Sequence, residues 1–417
     1  MTTPGFLPVT VFILLMIVLI GYFNEKVTKL TYEIALMLFS VAIGGAAVLT
    51  AAFIKGTTVS TLLLGTIIFD FEGFLMDGVL CFMLFAGSCH IRLSHFRKNA
   101  RAVGVLAFLC TLLGAVFYGL LFYLASHLMK LGFSLPMCLM FGSIVAPTDP
   151  IAATSILNKC GLPKVTGFLI EGESLLNDGV GVALFVCFSG MVTNSVGEGF
   201  FQVMIREILG AAIIGTAVSI PFYMIFKRTG DSKRRIFISL LTVALAYWLC
   251  ELFSCSGALA SVVCGVLFAT FRDVAEERGF KMELTEFDRF WDILDNLLNS
   301  ILYVVLGFSF VRILQMPYVI ALSLVAVICN LIARSGSLFV STFFMGELPD
   351  GFTRVNFTKL LTWGALRGGL SIALAMSTAT LLNEYAYHIV LGCTYAIVFF
   401  TTVVQGLSMK KVFEKMV

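Results

Sequence analysis

Four acidic residues crowd into two neighbouring apolar segments. The first reads Ala146-Pro147-Thr148-Asp149-Pro150. The second reads Glu171-Gly172-Glu173-Ser174-Leu175-Leu176-Asn177-Asp178-Gly179. A charge at the centre of a bilayer costs about 2.5–3.5 kcal/mol on insertion scales, so an acid found there is a functional candidate by default. On a helix, Ser174 and Asp178 stand at i and i+4 and share one face. A carboxylate, a hydroxyl and the carbonyls of a broken helix are hard oxygen ligands, suited to a monovalent cation such as Na+ or K+. Withdrawal from water favours the protonated form of the same carboxylate. One acid able to hold either a cation or a proton is the least machinery that exchange of the two requires.

The neighbouring polar residues have competing readings. Glu173 is turned about 100° from Ser174 on a helix, away from that face, and a buried acid needs a partner. Arg334, in Asn330-Leu331-Ile332-Ala333-Arg334, is the first choice and Arg367 the second. Asp149 either lines the site or caps a half-helix, whose N-terminus favours an anion. Asn177 either serves the site or hydrogen-bonds across helices. Asp178 has the weakest purely structural reading, because no intramembrane basic residue is left to neutralise it. Asp292, Asp295 and Asn299 open a later span near the cytoplasmic side and read as the lining of an access funnel or as water-facing. His90 and His95 end a span and read as solvated interfacial residues, not as pH sensors.

The elements that position these residues follow from composition. Of 417 residues, 59% are hydrophobic and 13% charged, against roughly 25% charged in a soluble domain. The class is an integral membrane protein in contact with a lipid bilayer. A net charge of +3, with basic residues scattered through short loops, excludes a nucleic-acid partner. Eleven cysteines lack metal-ligand spacing and read as small buried hydrophobes, not as bridges or zinc ligands. No cofactor and no enzyme chemistry are indicated. A crossing needs roughly 20 apolar residues. Apolar runs near 6–23, 31–53, 76–91, 102–126, 135–157, 165–191, 203–226, 235–253, 257–272, 289–313, 317–346, 358–381 and 386–409 give thirteen expected spans. The first lacks a basic leader and a cleavage site, and reads as a retained span. No soluble domain is left over, and the longest connections, about 54–75 and 273–288, hold at most a linker or a short amphipathic helix.

Lysine and arginine test this count, since they collect in cytoplasmic loops. The odd-numbered connections and the C-terminal tail carry 22 of them; the even connections and outer span ends carry four, Lys55, Lys130, Arg206 and Arg312. One missed span would invert everything after it. The N-terminus is therefore expected outside and the C-terminus in the cytoplasm, and the two basic residues left inside spans are Arg334 and Arg367. An odd count also fits inverted six-helix repeats, about 6–191 and 235–409, joined by a linking helix near 203–226. The fifth span of each half is interrupted, by Pro147 and Pro150 in the first and by Gly364-Ala365-Leu366-Arg367-Gly368-Gly369 in the second. Irregular backbone survives at this depth only where protein or a water-filled cavity satisfies it.

With these motifs in place, the chain resembles the monovalent cation/proton antiporters of the NhaP and eukaryotic sodium/proton exchanger type. The resemblance rests on Ala146 to Pro150, Glu171 to Gly179, the Arg334 span and Leu366-Arg367-Gly368-Gly369-Leu370, in family order, and it covers essentially the whole transmembrane unit. It implies that Asp178 binds the ion and the proton, with Asn177 before it, and that Thr148, Asp149 and Ser174 line the site. It implies a Glu173–Arg334 pair, an NhaA-like thirteen-helix fold forming a homodimer, and alternating access in the plasma, or bacterial inner, membrane. Relatives with Asn before the essential Asp resemble electroneutral exchangers, one cation per proton. One departure stands out: Leu84-Phe85-Ala86-Gly87-Ser88 lies where many relatives carry a carboxylate, so an acid that tunes ion affinity is expected to be missing. By the same resemblance, the large cytoplasmic tail of many relatives is expected to be lacking. The rival readings are a channel or uniporter on the same scaffold and a non-transporting membrane sensor.

Overall fold

The computed structural model describes residues 6–53, 73, 79–89, 93–149, 163–193, 200–279, 284–310 and 317–414. Helices α1 (Phe6–Phe23) and α2 (Tyr32–Phe53), with a π-helical turn at Asn24–Thr28 between them, precede the short α3 (Leu80–Ser88). Helix α4 (Leu93–Gly104) runs through a second π-helical turn, Val105–Cys110, into α5 (Thr111–Leu128), which is followed by α6 (Leu135–Val145) and α7 (Lys164–Val192). Next come α8 (Phe200–Arg228), α9 (Ser232–Leu252), α10 (Gly257–Glu277), α11 (Thr285–Phe310) and α12 (Pro317–Met345). The chain closes with α13 (Arg354–Trp363), α14 (Gly369–Ser377), α15 (Glu384–Phe399), a third π-helical turn at Phe400–Gln405, and α16 (Gly406–Phe413).

Among the described residues, nine helical stretches are long and apolar enough to cross a membrane. The chain is a polytopic α-helical membrane protein. Its outer faces agree: Ile320, Leu324, Ile328 and Ile332 on α12, and Ile205, Leu209 and Ile213 on α8, are exposed at a spacing of four. An amphipathic helix in water hides such a stripe; here it faces outward, toward lipid. The start signals are local and ordinary. Ser134, Asp231, Ser256, Thr353 and Asn383 each accept a main-chain N–H in the first turn of the helix they precede.

Two ends differ from the apolar runs. Helix α10 continues to Glu277 and α11 begins at Thr285, so the connection near 273–288 contracts to a few residues. Charged side chains at those ends reach water while the backbone stays helical, which an apolar run does not register. Asp295 therefore sits well inside α11, not at its opening.

Packing relies on close backbone approach. A Cβ on Gly142 of α6 would stand 2.0 Å from the Ala115 carbonyl oxygen of α5, the small-residue contact through which membrane helices gain dispersion energy. The largest buried cluster joins α1, α2, α5, α6, α11, α12, α14 and α15. A separate cluster, including Phe85, Phe226, Phe268 and Trp291, joins α3 to α8, α9, α10 and the start of α11. All ten cysteines among the described residues are buried and free.

Both expected interruptions are present. Helix α6 stops at Val145 and the chain leaves it through Ala146 to Asp149; α13 stops at Trp363 and α14 resumes at Gly369. The two breaks meet: the Asp149 main-chain N–H donates to the Leu366 carbonyl at 2.8 Å, an isolated antiparallel bridge. Pro150, half of the first expected interruption, lies outside the described residues, as does His90.

Candidate functional site

A helix that stops inside a membrane protein leaves its last carbonyls without intrahelical donors. At the end of α6 that demand is met from the other break. Arg367 Nη1 donates to the carbonyls of Ala146 and of Pro147, the latter at 2.7 Å, and Nη2 donates to Asn330 Oδ1 at 3.2 Å. The guanidinium thus places positive charge at a helix C-terminus, where the aligned peptide dipoles favour it. The arginine is itself pinned. Its N–H donates to Thr401 Oγ1 at 3.1 Å, and Thr402 Oγ1 donates to its carbonyl at 3.3 Å. Both threonines sit on the π-helical turn Phe400–Gln405, a widened turn of the kind often found at functional sites. Gly368 is required by space: a Cβ there would stand 2.7 Å from Asp149 Oδ2.

Opposite the first break, α7 presents Ser174 and Asn177. Thr148 Oγ1 and Ser174 Oγ share a hydrogen bond of 2.8 Å. Asn177 Nδ2 donates to Thr148 Oγ1 at 2.8 Å, and its Oδ1 accepts from the Thr148 N–H at 3.3 Å. Thr148, Ser174 and Asn177 are buried, while Asp178, the next residue, is half-buried at the edge of a cavity. Tyr303 of α11 donates its hydroxyl to Asp149 Oδ2 at 2.6 Å.

Glu173 points elsewhere. Its Oε1 lies 2.6 Å from Arg334 Nη2 of α12, with both side chains buried. Arg334 Nη1 also donates to Cys110 Sγ at 3.4 Å, at the end of the π-helical turn Val105–Cys110. The ion pairs formed among the described residues do not include Asp178.

The cavity measures about 110 Å³ and is walled by α3, both breaks, α7 and α11. Its oxygen-bearing lining includes Thr148, Asp149, Asp178, Asp295, Asn299 and Ser371; Pro147 and Gly368 also line it. The arrangement can therefore present carboxylates, a hydroxyl and irregular backbone to one small hydrophilic particle. Helix α3 supplies Leu80, Met83, Leu84 and Gly87, whereas Ala86 is buried on another face among Cys81, Phe85 and Trp291.

Thr148, Asp149, Ser174, Asn177, Asp178 and Gly368 are thus gathered at one place, Glu173 and Arg334 at a second, and Arg367 between the breaks. Tyr303 escapes sequence reasoning altogether, and the roles of Arg367, Asp295 and Asn299 are only partly read from it. Tyr303 carries no signal in a membrane helix rich in aromatics. Arg367 reads as a rival partner for Glu173, although its span is the second interruption and a broken helix needs donors. Asp295 and Asn299, four apart on one helix face, line this cavity, whereas Asp292 is exposed.

The family described as "Sodium/hydrogen exchanger, transmembrane" matches residues 14–415. The Na(+)/H(+) antiporter NhaP of Pseudomonas aeruginosa is 28% identical over 352 residues, covering 81% of this chain and 80% of that protein. The Na(+)/H(+) antiporter NhaG of Bacillus atrophaeus is 28% identical over 332 residues, covering 78% of this chain and 60% of that one. Among solved structures, the sodium proton antiporter MjNhaP1 from Methanocaldococcus jannaschii at pH 8 superimposes with a TM-score of 0.77 at 18% identity, covering 98% of both chains. At that identity the likeness is one of fold.

Proposed function

The chain belongs to the sodium/hydrogen exchanger family, and from that premise we propose that it exchanges a monovalent cation for a proton at Asp178. One observation carries the reading. Glu173 is taken up by Arg334, and Arg367 is taken up by the carbonyls of Ala146 and Pro147, so Asp178 faces the cavity without an ion-pair partner among the described residues. A carboxylate so placed can take a cation or a proton in turn. Thr148, Ser174 and Asp149 supply further oxygens, and Asn177 holds α7 against the first break. Sodium is the cation that the names of the curated relatives favour.

The exchange is electroneutral, one cation per proton, because Asn177 adds a neutral amide beside the titrating group. Two states of one site, open to either side in turn, complete the cycle. The scaffold is read as thirteen crossings in inverted repeats, assembled as a homodimer in the plasma membrane with the C-terminus in the cytoplasm.

The test is transport by purified protein in vesicles loaded with a pH-sensitive dye, on addition of sodium, potassium or lithium in turn. The natural protein should show cation-driven proton movement. Asp178→Asn should abolish it while the protein still elutes as a folded species, because a neutral amide can carry neither charge; an active variant overturns the assignment.

A further inference from the structure

We propose that Asp295 and Asn299 form a second binding site for the transported monovalent cation, on the α11 wall of the cavity that also holds Asp178. The inference rests on the exchange reading above. Residues four apart on a helix share a face, and both of these line the cavity. Asn299 Nδ2 donates to Asp295 Oδ1 and to the Asp295 carbonyl, each at 3.0 Å. That fixes the carboxylate through one oxygen, and the residue lines the cavity.

Asn299 itself is 4% exposed, and its Oδ1 is buried with no hydrogen-bond partner. A buried acceptor left unmatched is destabilising, and an oxygen beside a carboxylate is matched well by a hard cation. The surrounding charge has the right sign. Asp149 and Asp178 line the same cavity, α3 contributes only apolar side chains and glycine, and the nearby Arg367 guanidinium is engaged by Ala146, Pro147 and Asn330. A cleft lined by one sign of charge raises the local concentration of counter-ions.

The donor set favours a monovalent ion. Among the described residues no three histidine, cysteine or acidic side chains converge to hold a metal ion, and one carboxylate with one amide oxygen is a weak cage for a divalent one. Depth supports a staging role. Asp295 lies ten residues into α11 and Asp178 fourteen into α7, so at about 1.5 Å per residue Asp295 is about one turn nearer its helix start. Both helices begin at basic connections assigned to the cytoplasm. A cation approaching from that side meets Asp295 before Asp178, with Asn299, fourteen residues into α11, level with Asp178.

The test separates affinity from turnover in the vesicle assay. Natural protein that fails to exchange indicts the exchange reading, not this one. With exchange established, Asp295→Asn should raise the KM for sodium about tenfold, the loss of one charge-assisted ligand, and leave the maximal rate within about twofold. Asn299→Ala should raise KM several-fold by removing the unmatched oxygen, and Asn299→Gln, which keeps both the amide donor and the acceptor, should recover part of the loss. The Asn299 pair also decides the matter if Asp295→Asn proves poorly folded. An unchanged KM in both Asp295→Asn and Asn299→Ala, or a loss of maximal rate alone, overturns the site.

Discussion

Asn177 hydrogen-bonds Thr148 in both directions, donating through Nδ2 and accepting through Oδ1. Its amide therefore ties α7 to the first break without adding a titratable charge to the site. If the moving charge per cycle is set by the ionisable groups at this spot, Asn177→Asp should make exchange depend on membrane potential. Natural protein should be indifferent to a potential imposed by a potassium gradient and valinomycin, and the variant should change rate with its sign. A variant as indifferent as the parent shows that this position does not set stoichiometry. Ser174 and Asp178 could be set on one face because a helix has a known pitch, whereas the sequence left Asn177 between the site and a cross-helix hydrogen bond. The contacts that complete the site join residues 154 apart, for Tyr303 and Asp149, and 220 apart, for Arg367 and Pro147. No periodicity within one segment encodes such pairings.

At the scale of elements, Glu173 and Arg334 clamp α7 to α12 beside the site, with Cys110 of the π-helical turn Val105–Cys110 as a further acceptor. Removing one partner of a buried pair strands the other charge and costs about 3–5 kcal/mol, whereas replacing both can be nearly neutral. Arg334→Ala should therefore lower the thermal midpoint of the detergent-purified protein markedly, and Glu173→Gln with Arg334→Met should recover most of the loss. A stable single variant, or a double variant as weak as the single one, argues against the clamp. The broken elements themselves were legible from clustering, two prolines about an acid and two adjacent glycines after an arginine, since a lone Pro221 leaves α8 helical from Phe200 to Arg228. The π-helical turns were not. Phe400–Gln405 has the composition of an ordinary membrane helix, and only its contact with Arg367 shows why Thr401 and Thr402 share one turn.

For the whole molecule, the partition of basic residues, 22 against four, ties topology to span count. The partition works because moving a positive charge across the membrane is disfavoured during insertion, so it reports sidedness independently of where helices begin and end. That independence matters here, since α10 and α11 extend beyond their apolar runs and helix bounds alone do not fix the number of crossings. An odd count puts the termini on opposite sides; an even count puts them together. A fluorescent protein that matures only in the cytoplasm, fused after Val417, should therefore glow in a bacterial host, and an enzyme that folds only outside the cytoplasm, fused before Met1, should be active in the same cells. If only one of the two fusions is active, the termini lie on the same side and the odd count fails. An even count would then be incompatible with the proposed inverted repeats, which require a linking helix between two six-helix halves, and the Asp149–Leu366 bridge would join the two breaks without a symmetry relating them.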